Sequence, residues 1–284
     1  MRLLRRLLGG GDASIDRARR PQALASDLAE PPREGLDWLG RVPGPKARWI
    51  YRLLVAIAWL VLRRICDLRL SVEGREHLPA GGYVAVCGLH RSWVDPLLLI
   101  RSLPLQPRVW FMGSGPTAFD RAWKERLLRH LGGMLPVWRG GSDISVHVQA
   151  ADAVVEQRAV LGLFAEGAIG GPPDRPAKMR HGAALLCLRT GAPIVPVAMC
   201  GAEELYRGKR ISVRILPPTC PAELLGEAWH GPPEVGSRTE LRTARALTMA
   251  ISERIAAAVA ESYPSTMDPP GVPRRWTWLT RLMR

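Results

Sequence analysis

Residues 83–99, YVAVCGLHRSWVDPLLL, run from an unbroken apolar segment of strand length through a short polar turn into a leucine-rich helical pattern opened by Asp95 and Pro96. An apolar run without alternation reads as a strand covered on both faces, the habit of a parallel sheet. Proline fits the first turn of a helix, so residues 96–103 read as a helix starting where the turn ends. Strand end, turn and helix start then bring the His90 imidazole and the Asp95 carboxylate together at the carboxyl edge of the sheet, where open α/β sheets bind ligands.

Outward from this stretch the same alternation continues. Apolar runs of strand length fall near 68–73, 108–113, 134–138, 160–165, 193–199 and 210–216, with helical patterns near 119–131, 142–157 and 179–190. This predicts an α/β fold: a largely parallel or mixed central sheet covered by helices on both faces. A longer helix over 238–262 is introduced by Ser237 and Glu240 in capping-box spacing and carries Leu241, Ala244, Leu247, Ile251, Ile255 and Val259 on one face. With 284 residues the chain suits one domain plus terminal segments. Residues 1–46 are expected to be a flexible basic segment, 47–66 a helix, 67–262 the domain and 263–284 a basic aromatic tail.

The helix predicted over Trp49–Leu62 is apolar apart from Arg52 and is flanked by Lys46, Arg48, Arg63 and Arg64. Fourteen helical residues rise only about 21 Å, short of the roughly 30 Å hydrocarbon core, so an interfacial membrane helix sunk into one leaflet is expected rather than a span. The N-terminal Leu3, Leu4, Leu7 and Leu8 against Arg2, Arg5 and Arg6 read as a second, shorter amphipathic element. The net charge is +14, and all but four of the 40 basic residues are arginine. Such a balance calls for an anionic partner, and ten tryptophans against three phenylalanines favour a membrane surface. The start of the chain has too short an apolar stretch for a secretory leader, and the five cysteines form no C-x-x-C pair. A cytosol-facing, peripheral or monotopic protein with reduced thiols is expected.

A carboxylate bonded to one imidazole nitrogen fixes the tautomer and leaves the other nitrogen to take a proton near neutral pH, so His90 reads as a general base with Asp95 as its orienting partner. Spacing alone leaves a second reading open, with Asp95 as a helix cap and His90 as a polar strand end. Strand alternation puts residues 86, 88 and 90 on one face and Cys87 on the other, which argues against a Cys–His dyad. A base without a protein nucleophile suits direct transfer to a substrate hydroxyl. No pair of histidines has metal-ligand spacing, and no metal is called for.

The segment His90-Arg-Ser-Trp-Val-Asp95 resembles the H-x-x-x-x-D motif of the glycerophospholipid acyltransferase superfamily, in particular its 1-acylglycerol-3-phosphate (lysophosphatidate) acyltransferases. Three further blocks follow in the family's order: GMLPVWR at 133–139, FAEG at 164–167 and GAPIVPVA at 191–198. The resemblance covers roughly residues 70–200. It implies acyl transfer from acyl-CoA or acyl-carrier protein to a lysolipid hydroxyl, without a bound cofactor, with His90 as base and Asp95 as partner. It also implies that Arg139, Glu166, Gly167 and Arg180 bind the acceptor. One departure stands out: Ala168, Ile169 and Gly170 follow FAEG where the family usually has Thr, Arg and Ser. The arginine expected to bind phosphate is therefore missing, and Arg175, Lys178 or Arg180 are candidates to replace it.

The sequence-level reading is thus a membrane-associated acyltransferase at the cytoplasmic face of the cell membrane, making phosphatidate from 1-acylglycerol-3-phosphate. Alternatives are transfer to another lysolipid, a glycolipid or an amino-lipid, or a noncatalytic membrane adaptor. A basic nucleic-acid-binding protein would explain the charge but leaves the four ordered blocks unexplained, so no nucleic-acid partner is expected.

Overall fold

A computed structural model describes residues 44–114, 126, 133–137, 156, 158–269 and 271–283. Residues 1–43, Arg139 and, apart from Arg126 and Glu156, the helical patterns expected near 119–131 and 142–157 lie outside the described residues.

The described elements follow in the order α1 (Pro45–Arg64), β1 (Arg69–Glu73), β2 (Tyr83–Gly88), α2 (Asp95–Ser102), β3 (Val109–Ser114), β4 (Met134–Val137), β5 (Val160–Phe164), α3 (Gly182–Thr190), β6 (Ile194–Cys200), β7 (Arg210–Ile215), α4 (Pro221–Leu225), α5 (Arg238–Thr266) and α6 (Trp278–Met283). The seven strands form one mixed sheet in the order β1-β7-β6-β2-β5-β3-β4. Each neighbouring pair is parallel except β6 and β7. Strands β2 and β5 sit at the centre with every residue of β2 buried, which is why 83–88 carries no polar alternation.

Side-chain alternation divides the core into two layers. Val84, Val86, Leu161, Leu163 and Ile194 pack against Ala184 and Leu188 of α3 and Leu247, Ile251 and Ile255 of α5. Tyr83, Ala85, Cys87, Val195 and Val197 pack on the other side against Leu98 and Leu99 of α2, Leu62 of α1 and Leu279 of α6. Each fully buried aliphatic side chain contributes about 1.5–3 kcal/mol. Gly88 lets α5 approach the end of β2, because a Cβ there would stand 2.6 Å from Ile255 Cγ2.

Helix α5 begins at the expected cap, where Ser237 Oγ accepts from Glu240 N at 3.0 Å. The Glu240 carboxylate accepts from Gly236 N and takes both ends of the Arg189 guanidinium at 2.6 and 2.9 Å, tying α5 to α3. Two expectations need correcting. Leu241 is exposed, because the first turn of α5 overhangs the core that Ala244 and Leu247 enter. The helix also continues past Tyr263 to Thr266 with Pro264 inside its last turns, since the Pro264 carbonyl still accepts from Met267 N.

Helix α1 is longer than the apolar run suggested, 20 residues or about 30 Å. Length alone therefore no longer argues against a span. Lys46, Arg48, Arg52, Arg63 and Arg64 do, and among the described residues no helix is long and apolar enough to cross a membrane. Only Val55 and Leu62 of α1 are buried, whereas Trp49, Ile50, Leu53, Leu54, Ile57 and Leu60 are exposed.

Candidate active site

The site forms where β2 and β5, running parallel, reach their carboxyl ends side by side. Leu89 takes a left-handed backbone conformation (φ 65°) and turns the chain out of β2. The simple alternation expected for residues 86, 88 and 90 therefore stops at Gly88. Cys87 pairs in register with Phe164, and His90 stacks on the Phe164 ring at 4.1 Å between centroids and 17° between planes. His90 thus lies on the Cys87 side of the sheet, not across from it. Cys87 still makes a poor nucleophile: its thiol is fully buried, directed to Ala85 O at 3.9 Å, and its pKa is pushed up by burial and by the nearby Asp95 charge.

Beneath the imidazole an aromatic column continues, with Phe111 stacked on Phe164 at 6.0 Å and 10°. Gly162 makes room for it. A Cβ on Gly162 would lie 2.8 Å from Phe111 Cε1. The missing side chain in β5 thereby sets the height of the platform on which His90 rests.

Nδ1 of His90 lies 2.9 Å from Oδ2 of Asp95. The same oxygen accepts from the backbone N–H groups of Arg91 at 2.6 Å and Ser92 at 2.8 Å. Asp95 is the first residue of α2 but does not cap it; Val94 holds the cap position without a side-chain bond. The carboxylate instead reaches back to the turn and closes it around the imidazole. Burial pushes the Asp95 pKa up, opposed by the bonds from His90, Ser92 and Arg91. An ionised carboxylate only accepts, so the shared proton belongs on Nδ1 and Nε2 keeps its lone pair. Oδ1 is buried with no hydrogen-bond partner among the described residues.

Glu166 is buried and serves the turn from below. Its Oε1 accepts from Leu89 N at 3.0 Å and Ala177 N at 2.8 Å, and its Oε2 accepts from His90 N at 3.3 Å. Arg91, which the sequence reading did not single out, closes the arrangement. Its guanidinium is buried, pairs with Glu166 Oε2 at 2.5 Å, and donates to the carbonyls of Gly170, Pro172 and Arg175. Sequence offered one signal, an arginine directly after the candidate base, but a surface position was the ordinary reading on so basic a chain. Its hydrogen bonds fix the loop over 167–177 against the His90 turn, which Gly170 N reinforces by donating to His90 O at 2.8 Å.

Gly167 needs its glycine twice, for φ 71° and because a Cβ would lie 2.7 Å from Arg180 Nε. Arg180 is exposed and, with Lys178, Met179, His181 and Glu166, lines an open hollow of about 480 Å³. Arg175 is turned toward Asp174 at 3.7 Å. Thus His90, Asp95, Glu166, Gly167 and Arg180 are gathered at one edge of the sheet, while Arg139 lies outside the described residues.

Residues 69–200, which contain this whole arrangement, match the family model described as Acyltransferase. This stretch, a little under half of the chain, is similar to that family. Curated relatives are the 1-acyl-sn-glycerol-3-phosphate acyltransferases alpha of Ovis aries and Bos taurus, each 24% identical over 178 residues. Those alignments cover 58% of this chain and 59% of the relatives, so the chain matches rather less than two thirds of their length. Among solved structures, the 1-acyl-sn-glycerophosphate acyltransferase PlsC of Thermotoga maritima superposes with a TM-score of 0.52 at 15% identity, covering 91% of this chain and 95% of that one. At that identity the likeness concerns the fold, the seven-stranded mixed sheet with helices on both faces.

Proposed function

We propose that this acyltransferase moves a fatty acyl group from an acyl thioester, acyl-CoA or acyl-carrier protein, to the free hydroxyl of a lysolipid, with 1-acylglycerol-3-phosphate as the leading acceptor. The carrying observation is the His90–Asp95 pair at the sheet edge, 2.9 Å apart with Nε2 left to act. Nε2 takes the proton of the acceptor hydroxyl as its oxygen attacks the thioester carbonyl. The tetrahedral intermediate then collapses, the carbon–sulfur bond breaks, and the imidazolium returns the proton to the departing sulfur. A thioester is already reactive, so orientation and this proton relay are the main demands on the chain.

Glu166 and Arg91 position the base in this reading, and the acceptor's polar head falls to cations around the hollow. Lys178 and Arg180 line it and stand in for the arginine missing after FAEG; Arg139, which lies outside the described residues, is the further candidate from the second block. Gly167 lets the head group approach the backbone. The exposed apolar side chains of α1, with basic residues at both of its ends, support attachment to an anionic leaflet at its cytoplasmic face.

The test is incubation of membranes carrying the full chain with each thioester and a panel of lysolipids, read by mass spectrometry. Acyl transfer to lysophosphatidate that disappears in His90→Ala is expected; transfer to none of the lysolipids would sink the reading. Arg180→Ala should raise the Michaelis constant for lysophosphatidate and leave that for an uncharged monoacyl lipid alone. Equal use of both acceptors by the wild type would remove the phosphate site while leaving His90 as base.

A further inference from the structure

Arg108 stands directly before β3, far from the catalytic edge. Val160 pairs with both Tyr83 and Val109, so Arg108 lies where β2 and β3 begin and His90 where β2 ends. At roughly 3.3 Å per residue this separates them by about 20 Å along the strands. Arg108 is only 7% exposed, and none of its three side-chain nitrogens has a hydrogen-bond partner among the described residues. Other buried cations here are answered: Arg91 by Glu166 and four carbonyls, Lys209 by Glu203 and the Thr266 carbonyl.

What surrounds Arg108 is aromatic. The guanidinium carbon lies 4.0 Å from the centroid of the Tyr51 ring of α1 and 5.5 Å from that of Trp110. Gly133, in a left-handed conformation (φ 92°), lets the guanidinium pack against its backbone, since a Cβ there would stand 2.9 Å from Nη2. Ring faces answer the flat sides of a guanidinium. Its five N–H donors point outward in its own plane, where a planar or tetrahedral anion binds two at a time. A buried guanidinium beside two aromatic rings, with every one of its nitrogens unbonded among the described residues, is suited to such an anion. On α1, Ile50 and Leu54 stand exposed beside Tyr51, with Lys46 exposed one turn earlier. Anion acceptor and apolar flank together match a phosphate carrying acyl chains.

We propose that Arg108 forms a second lipid site, separate from the His90 centre, which takes the phosphate of a membrane phospholipid lying along α1, with Tyr51 swinging aside to admit it. The site does not depend on the acyl-transfer chemistry. It makes the joint between α1 and the sheet a place where the surrounding lipid is sensed.

The test uses the full chain in an uncharged maltoside detergent, titrated with short-chain phosphatidylglycerol, inorganic phosphate or uncharged diacylglycerol while the thermal midpoint is followed. Phosphatidylglycerol should raise the wild-type midpoint and bind Arg108→Met at least about tenfold more weakly. Diacylglycerol should not distinguish the two proteins, and without lipid Arg108→Met should be no less stable than wild type, because an uncompensated buried charge has been removed. Equal phosphatidylglycerol shifts in both proteins overturn the proposal. An Arg108-dependent shift that inorganic phosphate produces equally well overturns the lipid assignment. If Arg108→Met does not fold, Tyr51→Ala decides: uncovering the guanidinium should tighten phosphatidylglycerol binding several-fold, and unchanged binding overturns the site. His90→Ala should keep the full shift while losing acyl transfer; loss of the shift there would place the lipid at the catalytic centre instead.

Discussion

Arg91 and Glu166 form a closed ion pair, and the carboxylate that neutralises the guanidinium also receives the backbone N–H groups of Leu89 and His90. His90, the proposed base, is therefore held through its main chain by one buried charge and through its imidazole by another, Asp95.

Removing one partner of the first pair should be costly. Arg91→Met leaves the Glu166 carboxylate buried beside three backbone donors but without its counter-charge, and a loss of about 3–5 kcal/mol is expected. Denaturant unfolding measures it. Glu166→Gln keeps the shape and should lose less stability while still slowing turnover, since the His90 turn is less firmly held. A Glu166→Gln variant with wild-type turnover and stability would contradict the role given to this carboxylate.

His90→Ala should abolish turnover in a protein that folds normally, as circular dichroism would check. Asp95→Asn replaces an acceptor of three N–H groups by an amide and should lower turnover strongly at an unchanged Michaelis constant for the thioester. Cys87→Ala should retain activity, because the thiol it removes is buried and held protonated.

Gly162→Ala tests the aromatic platform. The new methyl would sit 2.8 Å from Phe111 Cε1, and relieving that contact must move Phe111, Phe164 or the strand. Overpacking of this kind costs about 1–3 kcal/mol. Turnover should fall by more than stability alone explains, and the double variant Gly162→Ala with Phe111→Leu should recover part of it. No recovery would separate the column from the position of His90.

Acid should loosen the joint between α3 and α5. The Arg189 guanidinium beside Glu240 holds that carboxyl below its ordinary value of 4.5, assisted by Gly236 N and opposed by burial. A depressed carboxyl pKa stabilises the fold above the unfolded value and loses that contribution as pH falls through the folded one. Glu240→Gln should therefore lower the thermal midpoint at pH 7, with the gap to wild type closing below about pH 4.5. A gap unchanged down to pH 3 would refute the linkage.

Much of the sheet was legible because most strands are apolar runs bounded by turn residues, and the seven expected segments sit within a residue or two of the observed strands. His90 and Asp95 were legible for a local reason, since both lie in one turn five residues apart. What escaped depends on contacts distant in sequence. Leu89 reverses the face on which His90 emerges, and a leucine gives no hint of a left-handed backbone. Arg91 reads as one basic residue among many until the loop 170–175 wraps it. Gly162 looks like a weak point in a strand, yet its role is set by Phe111 on the neighbouring strand. Helix α1 outruns its apolar stretch at both ends, from Pro45 to Arg64, because apolar character ends at Leu62 and helical hydrogen bonding does not.

Under the proposed acyl transfer, the stacking of His90 on Phe164 has a geometric outcome for the reacting alcohol. One flat side of the imidazole is shut by the phenyl ring and one nitrogen is engaged by Asp95, leaving the in-plane lone pair of Nε2 as the point of proton capture. An incoming hydroxyl must then arrive edge-on, along a single line fixed by the tilt of the ring. On a glycerol backbone, neighbouring hydroxyls differ in direction more than in chemistry. A base with one open compass bearing would discriminate between them by angle of arrival, and if the proposed acyl transfer holds, the tilt of Phe164 would help decide which carbon receives the chain.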